Sequence, residues 1–161
     1  EQVASVKQFV PQTHFSVCNL PEPSTGLEVK FSMRHTAAMA LSHVDTGSLT
    51  AYDDVIANRD DLVNLRNKVE IIDKKFESRM QSEVVINLTD GRSFEKFWDA
   101  GVPMADADLQ EKKLIEKFKA LVAPVYGAQA VEKSVSSCLN LDGLEDASCV
   151  FDFVVGQKKS H

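Results

Sequence analysis

The chain has 161 residues, 43% of them hydrophobic, with a net charge of −6 and a pI near 5.2. That length suits one ordinary domain with its own core and is short for two, so a single domain over residues 1–155 with a polar tail over 156–161 is expected. The acidic balance disfavours nucleic acid or an anionic membrane as partner, and no run is apolar enough to span a bilayer or to act as a signal segment, so a cytoplasmic protein is expected. Cys18, Cys138 and Cys149 have no C-x-x-C or Cys/His ligand spacing, which predicts buried reduced thiols and no metal site. The opening Glu1-Gln2-Val3 passes at once into strand-forming residues, so the first residue is expected to be a cut point in something longer.

Val3 to Val10 reads as a strand ended by Pro11, which lacks the N–H a ladder needs. Gln12 to Gly26, punctuated by Asn19, Pro21, Pro23 and Ser24-Thr25-Gly26, reads as an extended loop. Ser32 is suited to cap a helix on which Met33, Ala37, Ala40, Leu41 and Val44 share a buried face, and the small Ala37, Ala38 and Ala40 allow a close neighbour. Asp45 to Ser48 is a turn, Tyr52 to Asn58 a short helical segment, and Asp60 or Asp61 caps a helix with Leu62, Leu65 and Val69 on one face.

The period then changes. Lys68 to Asp73 and Glu83 to Thr89 read as strands, with Lys74 to Ser82 a polar loop between them. Asp90-Gly91 predicts a two-residue turn into Ser93 to Asp99, with Phe94 and Trp98 on one side of the hairpin. Beyond Gly101-Val102-Pro103, Asp106 or Asp108 caps a helix striped by Leu114, Ile115, Phe118, Leu121 and Val122 and stopped by Pro124. A last helix from about Ala128 to Leu139 buries Val131, Val135, Cys138 and Leu139, and Cys149 to Val155 fits either a strand or a short helix. The sum is an α+β fold, a mainly antiparallel sheet with a hairpin and helices packed on one face.

Chemistry concentrates at Thr25-Gly26-Leu27-Glu28-Val29-Lys30-Phe31-Ser32 and the Ala-rich helix that follows. Lys30 is placed just before a positive helix end, an arrangement that favours an anion between the two. The competing reading pairs Lys30 with Glu28 on a solvated strand and leaves Ser32 as a cap alone. His14 and His43 have no ligand spacing and read as structural, and no phosphate loop or nucleophile elbow is present.

The Thr25–Ser32 run, with Leu62–Val69, Asp90-Gly91-Arg92, Gly101-Val102-Pro103 and Lys117-Phe118 in this order, resembles the C-terminal domain of the MmgE/PrpD family. That family includes 2-methylcitrate dehydratases, cis-aconitate decarboxylases and iminodisuccinate epimerases. The resemblance implies a small α+β lid joined to a helical N-terminal domain, a homodimer, and proton abstraction from small di- or tricarboxylates with no metal or organic cofactor. It points to Lys30 and His35 as catalytic and to Ser32 and Arg34 as substrate-binding. His35 is a departure, since many relatives carry an aromatic hydroxyl there. The remaining site groups would lie ahead of this sequence, so the chain alone is expected to be inactive. The rival expectation is a non-catalytic small-ligand-binding or dimerisation module.

Overall fold

The computed structural model describes residues 2–152. Strand β1 (Val3–Val10) lies inside a four-stranded sheet because both of its edges find partners. On one side it runs parallel to β2 (Val69–Asp73), with Val6 opposite Val69 and Gln8 opposite Ile71. On the other it runs antiparallel to β3 (Gln81–Leu88), which pairs in turn with β4 (Ser93–Asp99) in the expected hairpin, giving the order β2-β1-β3-β4. The connection is a three-residue loop, Thr89-Asp90-Gly91, and not the expected two-residue turn: the Leu88 N–H donates to the Arg92 carbonyl at 2.8 Å, and Gly91, with a φ of 90°, supplies the positive φ that such a loop places at its last residue. A register shift between Val3 and Ser5 lets Val3 join Val6 in the core despite their odd spacing.

Between β1 and β2 the chain forms α1 (Phe15–Cys18), α2 (Gly26–Val29), α3 (Met33–Leu41), α4 (Asp54–Ala57) and α5 (Asp60–Arg66). The expected loop from Gln12 to Gly26 thus holds a 3-10 turn over Gln12–His14 as well as α1. Met33, Ala37 and Leu41 of α3 pack on the sheet core of Val6, Val10, Val69 and Ile71. Met39 turns the other way, into a second core with Val29, Ala51, Ala57 and Leu62. The helix therefore buries two faces: Ala38, Met39 and His35 are its deepest residues, and Ala40, expected inside, is exposed. The register puts Phe94 and Trp98 on the same face as Val84 and Ile86, yet both aromatics remain exposed on edge strand β4.

From Met104 onward a second packing unit begins. Its helix α6 (Ala107–Tyr126) is capped by Asp106, whose side chain accepts from the Leu109 N–H, and α7 (Ala128–Leu139) packs against it. Pro124 does not stop α6, which continues two residues further to Tyr126; Gly127, with a φ of 84°, ends it. Val131 is buried in α7 as expected, whereas Cys138 and Leu139 are exposed along a surface hollow shared with Leu114, Phe118 and Leu121. Ala147–Phe151 is a 3-10 turn; the remainder of the expected segment to Val155, and the 156–161 tail, lie outside the described residues.

Candidate functional site

The Thr25–Lys30 run is a single helical turn where an extended strand was the competing expectation. Thr25 and Glu28 close a reciprocal cap: the Glu28 N–H donates to Thr25 Oγ1, and the Thr25 N–H donates to Glu28 Oε2. Glu28 Oε2 also accepts from the Ser24 N–H at 2.7 Å and from Ser24 Oγ at 2.9 Å. These bonds, the Ser24 backbone bond foremost, hold its carboxyl below the usual range. Glu28 is thereby committed to the cap and makes no salt bridge to Lys30.

Gly26 meets the segment after α3 at a distance no other residue would tolerate. A Cβ there would lie 2.1 Å from the Tyr52 carbonyl oxygen. The Gly26 N–H donates to Asp54 Oδ1 at 2.8 Å, which fastens α2 to the start of α4. Asp53 is occupied too, accepting from the Ile56 N–H as the α4 cap. Glu28, Asp53 and Asp54 thus each accept from a backbone N–H. Lys30 sits at the C-terminal end of α2 and is exposed, and its Nζ lies 5.3 Å from the centroid of the Tyr52 ring. Among the described residues it has no carboxylate partner. The Tyr52 contact was not legible in the sequence, since nothing in the local pattern brings residue 52 beside residue 30.

Ser32 is 1% exposed and caps α3, accepting from the His35 N–H. Its backbone forms an isolated bridge with Asn19, and Asn19 Oδ1 accepts from Arg34 Nη1 at 2.6 Å. Arg34 therefore ties the start of α3 to the segment after α1 and is half-buried. His35, one turn into α3, is sealed at 0% exposure, with neither ring nitrogen hydrogen-bonded among the described residues. Burial, and secondarily the nearby Arg66 guanidinium, hold its pKa below the ordinary histidine value, so the imidazole is neutral at pH 7. Arg66 is itself buried and donates to the Pro23 carbonyl.

The structure thus brings Ser32, Arg34 and His35 together at one helix start and places Lys30 on the adjoining turn. Val17 and Leu20, together with Leu27 (67% exposed) and Phe31 (45% exposed), form an apolar surface beside them. The His14 Nε2–H donates to the Arg79 carbonyl, while His43 adopts a positive φ of 56° just beyond α3. The three cysteines are free, and Cys138, expected to be buried, is exposed. Among the described residues no group of three or more His, Cys, Asp or Glu could hold a metal ion, and no helix is long and apolar enough to cross a membrane.

A family model for the MmgE/PrpD C-terminal domain matches residues 1–141, from β1 through α7. The chain belongs to this family. No curated protein matches it. The MmgE/PrpD match encloses the whole Thr25–Leu41 region, and a C-terminal domain of this kind implies an N-terminal partner domain in the parent protein.

Proposed function

We propose that this chain is the lid domain of a cofactor-independent MmgE/PrpD enzyme acting on small di- or tricarboxylates. A 2-methylcitrate dehydratase-like hydro-lyase is the leading reaction, with decarboxylation and epimerisation as the related alternatives. The observation that carries the reading is Lys30: a solvent-facing ammonium on an aromatic ring, inside the family-matching segment, with neighbouring carboxylates held by backbone N–H groups. Such a cation suits a substrate carboxylate and the negative charge that develops when a base removes the adjacent proton. In dehydration the C–H proton passes to that base, the hydroxyl takes a proton from a general acid and leaves as water, and the carbon–carbon double bond forms between the two centres.

Arg34 offers a second cationic contact, with guanidinium donors beyond the one on Asn19. His35 is sealed from solvent, so its assigned part is to hold the helix start with Ser32 rather than to touch substrate. The base, and the other half of the cleft, belong to the N-terminal domain. The parent protein is assigned as a cytoplasmic homodimer. The alternative, a non-catalytic small-ligand-binding or dimerisation module, draws on the exposed Val17, Leu20, Leu27 and Phe31 surface.

The test is turnover of 2-methylcitrate and cis-aconitate by the gene product that includes the N-terminal domain. Lys30→Met is expected to lower kcat/KM by about 10²-fold, the scale of losing one charge-stabilising donor. Turnover of neither acid by the wild type would move the reading to the binding module. Wild-type rates in Lys30→Met would remove Lys30 from the site.

A further inference from the structure

A long lysine side chain loses rotamer freedom when it grips an anion, and that loss is subtracted from the binding free energy. Lys30 is exposed and makes no ion pair among the described residues, so a feature that restrains it in advance would strengthen any carboxylate contact. Tyr52 has the geometry to do so. Its ring lies 5.3 Å from Lys30 Nζ, its hydroxyl donates to the Thr46 carbonyl at 2.9 Å, and it packs against the core of Val29, Met39, Ala51, Ala57 and Leu62. Its backbone carbonyl is held against Gly26, on the same turn that carries Lys30. Ring and ammonium are thus fixed to one another through the backbone as well as through the cation–π contact.

We propose that Tyr52 is the positioning residue of the Lys30 site, holding the ammonium on its π face so that the outer side is presented to a small polycarboxylate. The proposal rests on the anion-binding role assigned to Lys30 above. The ring is the part that acts, and the hydroxyl only fixes its orientation.

The experiment uses citrate as probe on the 161-residue chain. Protection of Lys30 from pulsed acetylation is read by peptide mass spectrometry in the wild type, Tyr52→Phe and Tyr52→Leu. The citrate concentration giving half-protection is expected to rise about two- to tenfold in Tyr52→Leu and to stay within twofold of wild type in Tyr52→Phe, matching the ordering of one rotamer-rich side chain. Circular dichroism verifies folding; should Tyr52→Leu unfold, Tyr52→Met, which also lacks a π face, takes its place with the same expectation. Equal half-protection in wild type and the ring-less variant would overturn the role of Tyr52 and leave that of Lys30 standing. Absence of citrate protection in the wild type would overturn both.

Discussion

Gly26→Ala tests whether the close approach of α2 to Tyr52 holds this layer together. Away from any clash, alanine in place of glycine stabilises a fold by about 0.4–1 kcal/mol, because the unfolded chain has less freedom to lose. Here the added Cβ would stand 2.1 Å from the Tyr52 oxygen, 2.4 Å from its carbonyl carbon and 2.7 Å from Asp53 Cα. All three are backbone atoms, so no side-chain rotation relieves the contact. The two segments must separate by about 1 Å, stretching the Gly26 N–H bond to Asp54 and shifting the Tyr52 ring relative to Lys30. Overpacking of this kind costs about 1–3 kcal/mol and the weakened bond to a charged acceptor adds to it, so the expected net loss is about 2–4 kcal/mol. Urea unfolding followed by circular dichroism should show a lower midpoint with an unchanged slope. A variant as stable as the wild type, or more so, would mean that the entropic gain prevails and that the contact is not under steric constraint.

Two further outcomes follow from the start of α3. Because His35 is held neutral by burial, the unfolded chain binds its proton more readily than the folded one. Stability from this group is therefore complete above the unfolded value of 6.5 and declines as pH falls toward the lower folded value. The slope in that window approaches about 1.4 kcal/mol per pH unit. Urea titrations at pH 7.5, 6.0 and 5.0 should show the wild type losing stability faster than His35→Leu, and parallel curves would refute the assignment. Ser32→Ala removes the oxygen that accepts from the His35 N–H and is expected to cost about 1 kcal/mol, read from the thermal midpoint. A shift equivalent to less than about 0.3 kcal/mol would show that the cap bond contributes little.

Local rules carried much of this protein. Ser32 as cap, the hairpin at Asp90-Gly91, though not the length of its loop, and Asp106 as the cap of α6 were legible because each depends on a few neighbouring atoms. The alternation in residues 83–89 likewise marked β3, since one strand face must meet the core. The Thr25–Ser32 run and its companion segments were enough to indicate the MmgE/PrpD family. What periodicity could not reveal was the number of partners each element would have. Helix α3 lies between two cores, so His35, Ala38 and Met39 went inside along with Met33 and Ala37, whereas a one-sided helix would have left them out. Pro124 read as a stop because its missing N–H is a local fact, yet the helix runs on to Tyr126 and ends at Gly127.

The surroundings of Lys30 were decided by tertiary structure alone. Sequence placed a cation, a carboxylate and a glycine within five residues, and left open whether Lys30 would pair with Glu28. Folding settled it by directing Glu28 to the N–H groups of Ser24 and Thr25, Asp54 to that of Gly26, and the Tyr52 ring to Lys30. The physical reason is that hydrogen-bond satisfaction and close approach are properties of atoms adjacent in space, and Tyr52 becomes adjacent only once α3 has turned the chain back onto Gly26.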